Sequence, residues 1–200
     1  MSAFLGPIHH WLYHKINLQD KLTEAYLASA AEAGFPEVRE KVDATFGTMP
    51  EGSLETIIDE SNIHGWLQEK IHFVEKRYAL TVTELLAKKP EAIDRLSQIA
   101  YEFGQKNSTL TKENTAKDAY QVLNDTLIDG MPCDHVNMVL DASENDVAWR
   151  RTQCVHEDFW TAVGGDVNVY YQLRMQLIRG MLSPTSLTFD AEVDQFRIYK

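Results

Sequence analysis

The spacing of apolar residues predicts helices along the first two thirds of the chain. Apolar side chains recur at helical intervals between Ile8 and Tyr26, directly after Pro7, and Gly34 and Pro36 mark the end of this helix. Similar spacing predicts further helices over about 36–46, 53–79 with a continuation over 81–88, 90–103 and 112–127. The segment 129–132, Asp-Gly-Met-Pro, predicts where the last of them ends.

After about residue 130 the pattern changes to short apolar runs. Two such runs flank polar residues around Glu144 and Asn145, which predicts a β-hairpin. A helix is expected over about 167–181, followed by strands near 186–193 and 196–199. The sequence therefore predicts an α+β fold in which a helical bundle, residues 1–130, packs on a small antiparallel sheet with one helix, residues 131–200, around a shared core.

Composition narrows the class of protein. The 200 residues are 44% hydrophobic and 24% charged, as in an ordinary globular chain. No apolar stretch is long enough for a membrane span, no secretory signal is recognisable, and two cysteines suit a reducing cytosol. A net charge of −11 argues against a nucleic-acid partner, whereas a small molecule or a second copy of the chain stays open.

Each of the two cysteines stands two residues before a histidine, in Cys133-Asp-His135 and Cys154-Val-His156. Side chains two apart on a strand share a face, and a turn centred between Glu144 and Asn145 pairs Cys133 with His156 and His135 with Cys154. All four side chains would then meet on one side of the hairpin. Mixed thiolate and imidazole ligands favour zinc or iron.

Two other interpretations of the same four residues stay open. Unpaired cysteines are often small buried apolar residues, and the histidines beside them could simply be part of the core. Alternatively, Cys154 could act as a nucleophile, with His135 across the hairpin as its base.

A repeated pattern links two helices of the N-terminal half. Residues 8–16 and 63–71 share Ile-His-x-Trp-Leu-x-x-Lys-Ile. A duplicated helix pair would pack through the repeated Trp and Leu side chains and bring His9 to face His64. Facing imidazoles from two helices can hold haem or a non-haem metal, whereas local hydrogen bonding is the simpler role.

Part of the C-terminal quarter resembles a known family. The stretch from Arg151 to Asp158, with Val163-Gly-Gly165, Gly180-Met-Leu-Ser-Pro184 and a strand around Phe196, is similar to the L-2-amino-thiazoline-4-carboxylic acid hydrolase family. The resemblance implies a small-molecule hydrolase, or a relative that has lost the activity, with Cys154 at the reactive position. A second cysteine-containing strand, usual at the end of that family, is absent here.

Three functions therefore remain open from the sequence. The first is a cytosolic metal-binding protein with zinc or iron, or haem, held by residues drawn from Cys133, His135, Cys154, His156, His9 and His64. The second is a small-molecule hydrolase that uses Cys154 as nucleophile or a bound metal. The third is a non-catalytic ligand-binding or regulatory module whose pocket lies between the bundle and the sheet.

Overall fold

The computed structural model describes residues 5–200 and confirms the α+β class. Eight α-helices and four strands follow one another in this part of the chain, with two short 3-10 helices at Glu60–Asn62 and Pro132–Asp134. The helices are α1 (Pro7–Glu32), α2 (Glu37–Phe46), α3 (Leu54–Ile57), α4 (Ile63–Lys88), α5 (Ala92–Asn107), α6 (Ala116–Thr126), α7 (Glu157–Ala162) and α8 (Val167–Leu182). The strands are β1 (Asn137–Ala142), β2 (Asp146–Arg151), β3 (Thr188–Glu192) and β4 (Gln195–Tyr199).

The predicted ends of α1 and α2 are confirmed. They were predictable because single residues set them through their backbone preferences. Pro7 occupies the first turn of α1, where a missing N–H costs nothing. Gly34 and Gly47 follow α1 and α2 with φ of 93° and 82°, a backbone conformation that favours glycine and stops a helix.

The predicted long helix that begins at Ser53 is wrong. Only one turn, α3, follows Ser53, and the chain then leaves helical geometry at Ile58. Asn62 begins α4 instead, because its side-chain oxygen accepts a hydrogen bond from the Gly65 N–H at 3.1 Å. Helix α4 then runs without a break to Lys88, so the predicted interruption near Thr81 is also wrong.

The chain forms two compact units that alternate along the sequence. The first unit takes the described residues up to Ala92 together with Asp158–Asp166, and the second takes Ile93–Glu157 and Val167–Lys200. This division differs from the predicted boundary near residue 130, because α5 and α6 belong with the sheet and α7 belongs with the N-terminal helices.

Helices α1 and α4 form the centre of the first unit, and they contain the repeated pattern. They run side by side in the same direction, since His9 contacts His64 near their N-terminal ends and Tyr26 stacks on Tyr78 further along. The repeated leucines, Leu12 and Leu67, are buried as predicted. The repeated lysines lie over the repeated tryptophans of their own helices, with Nζ 4.1 Å from the ring centroid in Lys15–Trp11 and 5.2 Å in Lys70–Trp66.

The short helix α7 completes the first unit from a distant part of the sequence. Its Trp160 is 1% exposed and meets Tyr78 edge to face, with ring centroids 5.9 Å apart. Gly165, just after α7, lies so close to Thr83 that an added Cβ would be 2.3 Å from the Thr83 hydroxyl oxygen. The segment is therefore part of the core of this unit.

The second unit contains an antiparallel sheet with strand order β1-β2-β4-β3. Alternate residues of β2 and β4 point to one buried face of the sheet, namely Val147, Trp149, Phe196 and Ile198. Helix α6 packs on β2 and β4, and α8 packs on α6 and β3.

No helix within residues 5–200 combines the length and apolar character needed to span a membrane.

Candidate functional site

The second unit contains a cleft between its helices and the inner face of its sheet. Part of this cleft is open to solvent. Helix α6, the segment after it, three strands and α8 contribute the side chains that line it: Tyr120, Leu123, Asn124, Leu127, Asp129, Asn137, Trp149, Arg151, Tyr171, Arg174, Ile178 and Phe196.

One wall of the cleft is aromatic. Trp149 and Phe196 are direct neighbours on β2 and β4, and their rings lie 5.5 Å apart at 25°. Tyr120 of α6 closes over Trp149, with ring centroids 5.0 Å apart. Such contacts favour a flat ring as the next partner in the cleft, because offset stacked aromatic pairs attract one another.

The other end of the cleft is built around Asp129. Its Oδ2 accepts hydrogen bonds from Arg174 Nη2 at 2.9 Å and from Asn137 Nδ2 at 2.8 Å. Its Oδ1 lies 3.8 Å from Nε2 of His156. Arg174 also donates to the Tyr170 hydroxyl at 3.0 Å and to the Ile128 carbonyl at 3.2 Å, so its guanidinium is fixed from several sides.

Charge pairing keeps Asp129 ionised although the carboxylate is mostly buried. Burial acts to raise its pKa, but the Arg174 guanidinium and the His156 side chain outweigh burial and hold the pKa of Asp129 well below its usual range. In turn the Asp129 carboxylate raises the pKa of Arg174 against the opposing effect of burial. The cleft therefore contains a permanent, internally neutralised ion pair.

His156 supports this ion pair from the core. The imidazole is 1% exposed and packs against the Tyr170 ring, with ring centroids 4.1 Å apart at an angle of 33°. The packing holds the ring beside Asp129, so a proton on Nε2 would face the carboxylate.

Arg151, Tyr171 and Cys154 form the rim of the cleft. The Arg151 guanidinium stacks 3.7 Å above the centre of the Tyr171 ring, and it also pairs with Asp194 in the β3–β4 turn. The Tyr171 hydroxyl donates a hydrogen bond to Cys154 Sγ at 3.0 Å. Burial, followed by the bond to Cys154, raises the pKa of Tyr171, so the phenol stays protonated at neutral pH.

The predicted hairpin is confirmed, but its register holds only next to the turn. Asp141 pairs with Ala148 and Ala142 with Val147, as a turn at Glu144 and Asn145 requires. A β-bulge at Leu140 then shifts the pairing by one residue.

The predicted pairs Cys133–His156 and His135–Cys154 are wrong, because none of the four residues lies on a strand. Cys133 is exposed in a 3-10 helix, and His135 follows it with φ of 48°. Cys154 and His156 lie beyond the end of β2. Among residues 5–200, no group of three or more His, Cys, Asp or Glu side chains is placed to hold a metal ion.

His9 and His64 do face each other, as the repeated pattern predicts. Their ring centroids lie 5.9 Å apart at an angle of 69°. However, His9 Nδ1 accepts a hydrogen bond from the Gly6 N–H at 2.8 Å, so the ring proton lies on Nε2. In this state neither nitrogen of His9 offers a free lone pair, and the pair does not fit a metal or a haem iron.

Within residues 5–200, no hydrogen bond joins the His135 imidazole to the Cys154 thiol. The Cys154 thiol is exposed and accepts from the Tyr171 hydroxyl, whereas the His135 carbonyl accepts from the Thr152 hydroxyl at 3.1 Å. A neutral phenol can stabilise a thiolate by donating to it, but it cannot take the thiol proton.

Comparisons with protein families, with curated proteins and with solved structures find no match to this chain. The similarity of its C-terminal quarter to the thiazoline carboxylate hydrolase family stays a prediction.

The site residues predicted from the sequence did not include Asp129, Arg151, Tyr171 or Arg174. Arg174 could have been identified from the sequence, because it lies four residues after Tyr170 and four before Ile178, on the buried side of α8. An arginine within an apolar stripe calls for a buried counter-charge. Nothing local to Asp129 identifies it as that counter-charge, since it lies 45 residues away in sequence.

Proposed function

We propose that this chain is a cytosolic small-molecule-binding protein, and that its ligand is a flat ring with an acidic group. The observation that carries the proposal is the cleft of the second unit, in which an aromatic wall meets two arginines. Clefts that combine aromatic and apolar walls with convergent polar groups are typical ligand sites. The two free cysteines support a reducing compartment.

The ring of the ligand would pack against Trp149 and Tyr120. Both side chains line the cleft, and they already contact each other. Each aromatic contact contributes about 0.5–1.5 kcal/mol beyond the area that it buries.

The acidic group would pair with Arg151 rather than with Arg174. The charge of Arg174 is neutralised by Asp129, which is mostly buried, and replacing that carboxylate would leave it unpaired in the core. The partner of Arg151 is Asp194, whose side chain is 50% exposed and can return to water. A planar guanidinium binds a carboxylate or a sulfonate through two parallel hydrogen bonds.

A pair of fluorescent probes tests this assignment. 8-Anilinonaphthalene-1-sulfonate has a flat ring and an acidic group, whereas N-phenyl-1-naphthylamine has similar rings and no charge. Arg151→Met should weaken binding of the sulfonate at least about tenfold, the loss of roughly 1.4 kcal/mol, and should leave binding of the uncharged amine unchanged. Fluorescence titration measures both affinities.

Arg150→Met is the matched control for this experiment. Arg150 is adjacent to Arg151 but lies on the opposite face of β2, where it is exposed. Equal effects of the two substitutions would contradict the proposal, as would a loss of affinity for both probes in Arg151→Met. Mass spectrometry of the natively purified protein would then identify a ligand retained in the cleft.

A second candidate function is hydrolysis of a small amide or cyclic substrate with Cys154 as the nucleophile. The observation that favours it is the hydrogen bond from Tyr171, which lines the cleft, to the exposed Cys154 thiol. Cys133 is the matched control, because it is also exposed and free. If Cys154 reacts no faster than Cys133 with iodoacetamide at neutral pH, this candidate is excluded.

The arrangement of the Cys and His residues does not favour the metal-binding function predicted from them. Its four hairpin ligands are not brought to one face, and His9 lacks a free lone pair in its present tautomer.

A further inference from the structure

The two edges of the sheet in the second unit differ in how they are protected. Both β1 and β3 are edge strands, with unpaired backbone groups along one side. Proteins usually protect such edges with charged residues, proline or a covering element. β3 has Asp190 and Glu192, both exposed, along its five residues.

Strand β1 has less of this protection than β3. Its central residues Met138, Val139 and Leu140 are 46%, 45% and 51% exposed. The strand contains no lysine, arginine or proline, and Asp141 is its one charged residue. A run of three half-exposed apolar residues on an open edge is a site where another strand can pair.

The bulge at Leu140 does not close this edge. It displaces Leu140 from pairing with β2 and leaves its side chain half exposed. The apolar surface thus continues on both sides of the strand.

The charges around β1 complement a second copy of the same strand. On the neighbouring strand, Arg150 pairs with Met138 and its Nη2 lies 3.7 Å from Met138 Sδ, so the guanidinium reaches across β1 toward the open edge. An antiparallel copy centred between Val139 and Leu140 would place its own Asp141 directly opposite Met138, on the same face of the sheet as Arg150. Because β1 lies between them, two strand spacings of about 4.8 Å each separate the backbones of Arg150 and this Asp141, and the long Arg150 side chain, which already lies against Met138, spans that gap.

We propose that β1 is the interface of a homodimer in which two copies of the chain pair antiparallel along this edge. The two sheets become one eight-stranded sheet, and two Arg150–Asp141 ion pairs flank a centre of Met138, Val139 and Leu140. One strand pair buries less than the roughly 1,600 Å² of a standard stable interface, so the dimer is weak and depends on concentration.

Analytical ultracentrifugation across micromolar concentrations tests the interface. The unmodified chain should move from monomer toward twice that mass as concentration rises, and Leu140→Lys should raise the dissociation constant at least about tenfold. Val193→Lys is the matched control, because Val193 is an equally apolar side chain, 91% exposed, in the β3–β4 turn. A chain that stays monomeric throughout, or that responds equally to both lysines, overturns the proposal.

Exchanging the charges of Arg150 and Asp141 tests the antiparallel arrangement. It also distinguishes a lost interface from a misfolded variant. Arg150→Asp and Asp141→Arg should each weaken the dimer, whereas the double variant should restore it because the pair is re-formed with its charges reversed. Failure of the double variant to recover dimer formation, while circular dichroism matches the unmodified chain, also overturns the proposal.

Discussion

At the residue scale, the stability of the second unit depends on the ion pair between Asp129 and Arg174. Asp129→Asn leaves the Arg174 guanidinium without its counter-charge among mostly buried groups. Losing one partner of such a pair costs about 3–5 kcal/mol. We expect this loss in the free energy of unfolding at pH 7, measured by urea unfolding, with Glu157→Gln as an exposed control.

The same substitution has a defined pH dependence. The pKa of Asp129 is lower in the folded chain than in the unfolded chain, so ionised Asp129 stabilises the fold fully above the unfolded value of about 4. Its contribution declines as pH falls below that value. The difference between the unmodified chain and Asp129→Asn should therefore be about 1 kcal/mol smaller at pH 3 than at pH 7, and an equal difference at both pH values would contradict this assignment.

Val193 is strained at the tip of the β3–β4 turn. Its φ is 32°, a value that a β-branched residue rarely adopts. The side chain is 91% exposed, so packing contributes little stabilisation to offset this strain. Val193→Gly should raise the free energy of unfolding by about 1 kcal/mol. Val193→Ala keeps the Cβ that causes the strain, so thermal unfolding should show little gain for that variant.

At the element scale, two glycines set how closely α5 and α8 cross in the second unit. A Cβ on Gly180 would lie 2.0 Å from the Tyr101 carbonyl oxygen, and a Cβ on Gly104 would lie 2.2 Å from the Leu177 carbonyl oxygen. Each glycine thus meets the backbone of the other helix, which cannot move as a flexible side chain would.

Gly180→Ala should therefore destabilise the second unit by about 1–3 kcal/mol, although alanine is the better helix former. Arg179→Ala, one residue earlier on the exposed side of α8, should have little effect. Unfolding in urea compares the two variants, and a Gly180→Ala chain as stable as the unmodified one would show that the helices can separate without cost.

Element boundaries were predictable where local chemistry sets them, and long-range pairing was not. Pro7, Gly34 and Gly47 fix the ends of α1 and α2 through their own backbone preferences. The turn at Glu144 and Asn145 was also predictable. The bulge at Leu140 has no residue signature, and it is one reason why the expected constellation of cysteines and histidines does not form.

The site was harder to predict than the fold, since its centre depends on partners far apart in sequence. The facing of His9 and His64 followed from a repeated pattern, because two similar helices pack in a similar way. The pairing of Asp129 with Arg174 depends on how α8 lies beside the segment after α6. That arrangement is a property of the folded unit, and no short motif encodes it.

At the scale of the whole molecule, the first unit depends on a segment that is distant in sequence. A fragment of residues 1–92 lacks α7, so Trp160 no longer covers Tyr78. We expect that fragment to unfold at a lower urea concentration than the same helices in the full chain. In the full chain Trp160→Ala should cost about 3–5 kcal/mol, and Thr161→Ala, an exposed neighbour, should cost little.

The alternation of the two units along the chain also limits how recombination can transfer them between genes. The chain passes from one unit to the other three times, at 92–93, 157–158 and 166–167. A recombination event that moves one continuous stretch of gene therefore cannot transfer either unit whole: residues 1–92 leave Trp160 behind, and residues 93–200 carry it away from Tyr78. The two units are expected to pass through evolution as a single block, so that related chains contain both of them or neither.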